Sequence, residues 1–436
     1  MKSSTSFVCQ ECGYESPKYL GKCPECGEWN TLREFKVESL KLKVERRQES
    51  VAVKKLSEIK LEEKQRLLTG FSEMDGVLGG GIVKGSVILL AGDPGIGKST
   101  LLLQVGLNLA KKNKILYISG EESEGQIKLR AKRLTKETNQ TDFFLVSETN
   151  TDSIASIAQQ LEPSLIIIDS IQTMESENLS GLSGSVGQVR YAASQFIKIA
   201  KSLNIPIILV GHVTKEGMVA GPMVLSHMVD TVLFLEGEKF TSTRILRSFK
   251  NRFGPIDEVG IFAMEEKGLA QVINPEQYFL GKNQDKAPGS VLVATLEGSR
   301  PFLVEIQALV VFSKLPMPRR VSSGIDYKRL ELLLAVLQKH CRVPLDTMDV
   351  FVNVAGGLKL SDRASDLGIC LAVFSSFKNI PLSKIVGIAE VGLLGELRSV
   401  PFLEKRIKEA KKLGFKNIFS ENTYKTLSNA LNSLGK

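Results

Sequence analysis

Short apolar runs separated by glycine and by helix-period segments dominate the middle of the chain. The runs at 87–91, 114–118, 165–169, 207–211 and 231–235 are rich in Ile, Leu and Val, and most alternate with helical stretches such as 98–112 and 186–203. Buried strands alternating with helices predict an α/β fold with a parallel sheet covered on both faces. Beyond Asp230 the rhythm changes to strand and hairpin through "TRILRSFKNRFGPIDEVGIFAME", and "NPEQYFL" closes the domain near residue 280.

The flanks follow other patterns. Residues 7–30 are too short and too polar to bury a core without a metal. Residues 31–65 hold ten Lys or Arg against seven Asp or Glu and lack Gly and Pro, which predicts an exposed charged linker able to touch phosphates loosely. After the polar "GKNQDKAP", strand patterns at 291–296, 302–311 and 349–354 mix with helical ones at 325–340, 362–377 and 401–413. The expected organisation is therefore a metal module at 1–30, a linker at 31–65, a main α/β domain at 66–280 and a second α/β domain at 287–436. No tandem repeat at solenoid periods is visible.

Composition narrows the function classes. A chain of 436 residues with 43% apolar content is long enough for two or three cored domains, which excludes a disordered protein. A net charge of +9 favours an anionic partner such as nucleic acid without establishing one. No apolar run approaches the roughly 20 residues that span a bilayer, and the N-terminus lacks the apolar core of a secretory signal, so no membrane is expected and the expected location is the cytoplasm. Four of the six cysteines form two Cys-x-x-Cys pairs, Cys9/Cys12 and Cys23/Cys26, each followed by glycine. Four thiolates on two tight knuckles suit tetrahedral Zn²⁺ with no open position, hence a structural rather than a catalytic site.

The strongest chemical signal is Gly92-Asp93-Pro94-Gly95-Ile96-Gly97-Lys98-Ser99, followed by Thr100, between an apolar strand and a helix. It fits the ATP phosphate-binding loop: backbone N–H groups face the phosphates, Lys98 reaches the β- and γ-phosphates, and Ser99 ligates Mg²⁺. Asp169 ends "LIIID" on a buried strand, where a carboxylate needs a partner such as Mg²⁺, held directly or through water. Glu121 and Glu122 follow the strand in "ILYISGEES". Glu121 is the candidate for polarising the attacking water with Glu122 in reserve, and helix capping near Ser123 is the plainer role for either. His212 and Thr214, at the end of the fourth strand, are candidates to sense the γ-phosphate. Two loop-like stretches, 175–187 and 214–228, suit either a channel lining that touches a nucleic-acid backbone or plain surface loops. In the hairpin region, Lys250-Asn251-Arg252-Phe253-Gly254 places two cations where a turn is expected, and an anion is their natural target.

With the phosphate loop, "TGFSEMDGVLGGGIVKGS" before it and the KNRFG pentapeptide after it, the chain resembles the bacterial RadA (Sms) family, DNA-repair paralogues of the RecA recombinase. The resemblance runs nearly end to end. It implies a four-cysteine zinc module, a RecA-like ATPase core, and a C-terminal α/β domain similar to that of Lon proteases. It further implies a homo-hexameric ring that encircles single-stranded DNA, hydrolyses ATP at subunit interfaces and drives branch migration of branched DNA intermediates alongside RecA. Lys250 and Arg252 take the family's signature role, and Arg252 is the better donor to a neighbouring subunit's γ-phosphate because guanidinium binds it bidentately. "LSDRASDLGICLAVFSS" puts Ser365 where Lon carries its nucleophile, but Glu404 stands where the pattern has lysine, so a scaffold or DNA-binding role is expected there rather than peptidase activity. An ATP-dependent protease and a KaiC-like signalling ATPase that does not translocate on DNA are the competing classes.

Overall fold

The structure is a computed structural model that describes residues 5–9, 14–25, 27–36, 66–135, 142–179, 182–212, 225–237, 242–274, 287–382 and 384–435. At the N-terminus, β1 (Thr5–Cys9), β2 (Glu15–Ser16) and β3 (Leu32–Lys36) form a three-stranded antiparallel sheet in the order β2-β1-β3. Leu32 is buried with Cys9 and Cys23, so the start of the stretch predicted to be linker is instead the third strand of the metal module. One apolar side chain against two thiols explains the difference, because charge counting over 31–65 averages it away. The rest of the predicted linker, 37–65, lies outside the described residues.

The predicted parallel sheet is present. It contains β4 (Val87–Gly92), β5 (Ile115–Ser119), β6 (Phe143–Ser147), β7 (Leu165–Asp169), β8 (Ile207–His212) and β9 (Thr231–Glu236). β10 (Thr243–Asn251), β11 (Val259–Glu265) and β12 (Gly268–Gln271) extend it to nine strands, ordered β12-β11-β10-β9-β4-β8-β7-β5-β6, with β10 antiparallel to β9. β4, β5, β7 and β8 are apolar and buried almost throughout, as strands covered on both faces must be. β6, whose apolar run 143–146 was not among the predicted strands, is an edge strand that buries none of its five residues fully.

Helices complete the layers: α1 (Ser72–Val77), α2 (Lys98–Leu109), α3 (Glu124–Leu134), α4 (Thr151–Leu161) and α5 (Val186–Leu203). Asn150 and Ser185 cap α4 and α5 with side-chain oxygens, and both helices are strongly amphipathic. Ile154, Ala158, Val189 and Phe196 pack on Leu89, Leu116, Ile166 and Leu209 in one continuous core. The register pairs Gly92 with His212 and Ser119 with Asp169. That alignment gathers the C-terminal ends of β4, β8, β7 and β5 on one edge, where ligands bind in sheets of this kind.

Residue contacts divide the chain into two units: Met1–Glu236 with Ile245–Ile256 and Met264–Gln271, and Gly237–Arg244 with Asp257–Ala263 and Val272–Lys436. The second holds a six-stranded sheet ordered β15-β16-β14-β13-β17-β20. Its strands are β13 (Ser290–Glu297), β14 (Arg300–Phe312), β15 (Arg320–Ser323), β16 (Met348–Val354), β17 (Ile385–Ile388) and β20 (Asn417–Ser420), and a small ribbon pairs β18 (Glu390–Val391) with β19 (Leu397–Arg398). Helices Tyr327–Cys341, Asp366–Lys378 and Leu403–Lys412 match the predicted helical stretches closely. The middle one starts four residues later than its pattern, because Arg363–Ser365 forms a tight 3₁₀ turn that Asp362 caps. Among the described residues, no helix is long and apolar enough to cross a membrane.

Candidate functional site

The loop after β4 is shaped by two glycines. A Cβ on Gly92 would meet the Leu235 carbonyl oxygen at 2.4 Å, and Gly97, with φ of 114°, begins α2 with the Met264 methyl 2.7 Å from where its Cβ would lie. Lys98 follows at the first position of α2 and is only 3% exposed. Its ammonium donates to the carbonyl oxygens of Gly92 at 2.7 Å and Asp93 at 3.0 Å, inside the loop. Burial lowers its pKa to about 8, against the opposing pull of Asp169, Asp93 and Glu121. Phosphate oxygens favour the charged ammonium and raise that pKa on binding, so affinity is complete below pH 8 and lost above it. Nucleotide titrations are therefore expected to show Kd rising by up to about tenfold per pH unit from pH 8 until the raised pKa of the bound state is passed. A flat profile to pH 10 would refute this.

Asp169, at the end of β7, is 6% exposed, and one carboxylate oxygen accepts a 2.5 Å hydrogen bond from the buried Tyr117 hydroxyl. Sequence reasoning passed over Tyr117 because it reads as one more apolar position of β5. Oxygen donors at Asp169 and at Ser99, in the first turn of α2, suit a hard cation such as Mg²⁺.

The two glutamates after β5 point to different partners. Glu121 Oε1 accepts from the Ser170 hydroxyl at 2.5 Å, and His212 Nε2 donates to the same oxygen from 3.4 Å. The His212 hydrogen bond is the main cause of a Glu121 pKa lowered to about 2. His212 Nδ1 is buried and has no hydrogen-bond partner among the described residues. Glu122 instead pairs with Arg130 of α3, and its backbone is held by the Ser119 hydroxyl. Neither glutamate caps α3, because Ser123 and Gln126 form a reciprocal capping box there. Thr214 and most of the loop 214–228 lie outside the described residues.

Lys250 and Asn251 are not turn residues: they finish β10, paired with Val232 and Thr231 after an irregularity at Ser248, and the chain bends only from Arg252 onward. Those partners lie beside Leu89 and Ile88, near the start of β4. At about 3.3 Å per residue this is roughly 10–13 Å back from Gly92 along the strand and two strands aside. The pentapeptide thus occupies the opposite end of the sheet from its own phosphate loop. Lys250 donates to the carbonyls of Ser226 at 2.7 Å and His227 at 3.3 Å. Arg252, 57% exposed, pairs with Asp230 at 3.1 Å. Asp230 is itself buried and accepts from Val87 N and from Lys201, which fixes the base of the turn. Arg66, which no motif singles out, clamps the far side by donating to the carbonyls of Phe253 at 2.8 Å and Leu78 at 3.1 Å.

Cys9 and Cys23 lie buried together, and both backbone N–H groups close tight turns, to Tyr14 O and Glu28 O. That arrangement fits the zinc knuckles. Cys12 and Cys26 fall outside the described residues.

In the second unit Ser365 is 4% exposed and its hydroxyl donates to the Asp362 carbonyl at 2.7 Å. Glu404 and Lys405 both lie exposed on their helix. The buried cation beside this turn is Arg406, which donates to the Asp362 carboxylate and to the Ala294 carbonyl. A guanidinium stays protonated in proteins, so it cannot take a proton from a serine.

A phosphate loop feeding α2, a carboxylate at the end of β7 and a glutamate at the end of β5 on a parallel sheet with an antiparallel extension define a RecA-like P-loop ATPase, here preceded by a metal ribbon. Family profiles agree: one described as AAA domain matches residues 54–218, and one described as rubredoxin metal binding domain matches residues 7–34. The chain is 49% identical to DNA repair protein RadA of Bacillus subtilis over 96% of its own length and 92% of that protein. It is 49% identical to the RadA of Pseudomonas aeruginosa, over 95% and 92%, and 47% identical to that of Streptococcus pyogenes serotype M1, over 96% and 93%. The chain belongs to the RadA family of DNA repair proteins.

Proposed function

We propose that the protein is a DNA-dependent ATPase working as a homo-hexameric motor, which encircles single-stranded DNA and promotes branch migration of recombination intermediates together with RecA. The observation that carries this reading is the position of Arg252 and Lys250, remote from their own phosphate loop and anchored to the sheet, where they suit a neighbouring subunit's nucleotide. Gly92 to Thr100 would hold ATP, with Lys98 on the β- and γ-phosphates. Ser99 and Asp169 would hold Mg²⁺, which would offset the negative charge developing on the phosphates. Glu121 orients the attacking water, and Arg252 stabilises the transition state in trans. Cys9, Cys12, Cys23 and Cys26 would hold Zn²⁺ in a structural site at the N-terminal module. The domain at 287–436 serves as a Lon-like scaffold or DNA-binding element without peptidase chemistry, in keeping with Arg406 beside Ser365.

The test is ATP hydrolysis with and without single-stranded DNA at low salt, where phosphate contacts are strongest. Turnover is expected to rise on adding DNA, strand displacement to vanish in Lys98→Ala, and casein present in the same reaction to stay intact. Turnover indifferent to DNA at low salt would sink the motor reading, and casein cleavage abolished by Ser365→Ala would sink the scaffold assignment.

A further inference from the structure

We propose that Tyr117 is the positioning residue for Asp169, fixing one carboxylate oxygen so that the other faces the magnesium of bound ATP. The proposal rests on the reading of Asp169 as the magnesium-holding carboxylate and assigns a new residue to that site. Tyr117 lies in the middle of β5 and is 1% exposed, in ring contact with Phe143. A phenylalanine would fill the same space and bring no polar group into the sheet. A buried hydroxyl, by contrast, is destabilising unless it is paired. Its partner is Asp169 Oδ2, at 2.5 Å.

The sheet register explains why the bond forms. β5 and β7 are adjacent and parallel, with Tyr117 opposite Ile167 and Ser119 opposite Asp169. The long phenol reaches one pleat forward along the sheet and meets the carboxylate where β7 ends. The next residue, Ser170, donates to Glu121. Tyr117 therefore restrains the peptide segment from which both the metal-facing carboxylate and the support of the water-orienting glutamate arise. Removing such a partner from a metal-holding carboxylate weakens metal affinity by about 10- to 100-fold.

The experiment is a Mg²⁺ titration of full-length protein with a fluorescent N-methylanthraniloyl ATP, comparing wild type, Tyr117→Phe and Asp169→Asn. Tyr117→Phe is expected to bind the nucleotide in EDTA as wild type does. Its Mg²⁺ midpoint should rise by about tenfold, and excess Mg²⁺ should restore turnover. A residue that only fills space would not produce a defect cured by metal. If Asp169→Asn shifts the midpoint and Tyr117→Phe does not, the role of Tyr117 is overturned while the metal reading stands. If Asp169→Asn leaves the midpoint unmoved, the metal reading of Asp169 fails and the role of Tyr117 falls with it. Loss of nucleotide binding by Tyr117→Phe in EDTA would likewise overturn the proposal, because the phenol would then be supporting the loop as a whole.

Discussion

Replacing Arg252 with alanine is expected to lower ATP turnover by about a thousandfold while leaving nucleotide affinity unchanged, the size of effect that an arginine donated to a γ-phosphate produces. The reasoning is positional. Arg252 follows a strand segment level with Ile88, at the far end of the sheet from Gly92, so its removal takes nothing from its own loop. Asp230 keeps Lys201 and the Val87 N–H as partners after the change, so the base of the turn survives. Lys250, whose ammonium is engaged by the carbonyls of Ser226 and His227, is expected to have a smaller effect on turnover. A mixing experiment separates action in trans from action in cis. Arg252→Ala supplies an intact loop and Lys98→Ala supplies an intact arginine, so mixed rings recover part of the activity that each variant lacks alone. Failure of the mixture to recover, or loss of nucleotide binding in Arg252→Ala, would defeat the interface assignment.

What could be read from the chain depended on whether the signal was local. The parallel strands, α2 and the phosphate loop were legible because each carries its pattern within a few residues: β-branched runs, glycines at forced backbone positions, and lysine next to serine. β6 was not predicted although 143–146 is an apolar run, and as an edge strand it buries none of those residues fully. β3 was missed because a single buried Leu32 decides it within a charged stretch. At the site, Glu121 and Glu122 are adjacent and chemically identical in sequence. Only the fold shows that Ser119 and Arg130 turn Glu122 aside while Ser170 and His212 meet Glu121. Tyr117, Arg66 and Asp230 act through partners 52, 187 and 22 positions away, distances that no motif encodes. Near Ser365 the fold adds a residue that position matching did not name. The pattern match picks out Glu404, which is exposed, and the same helix buries a cation two places later, at Arg406.

Changing Glu121 to glutamine is expected to reduce turnover by about 10²- to 10⁴-fold with ATP binding retained, whereas Glu122→Gln should cost little. Glutamine keeps the shape of the side chain and its contact with Ser170, so the loss isolates the carboxylate charge. That charge is present throughout the working range: with its pKa lowered to about 2, Glu121 is ionised at every pH above that value. It therefore contributes no acid limb to turnover between pH 5 and 8. The same low pKa makes it a poor proton acceptor, so in this arrangement its work is to orient and polarise water rather than to take a proton early. His212 is the main cause of the depression, and His212→Ala should let the Glu121 pKa rise toward the ordinary carboxylate range. Turnover in that variant is expected to acquire an acid limb that moves up in pH relative to wild type. Rate–pH profiles of wild type, His212→Ala, Glu121→Gln and Glu122→Gln test the whole assignment. Equal losses from the two glutamate variants would remove Glu121 from the catalytic role, and an unmoved acid limb in His212→Ala would break the link between the histidine and the carboxylate.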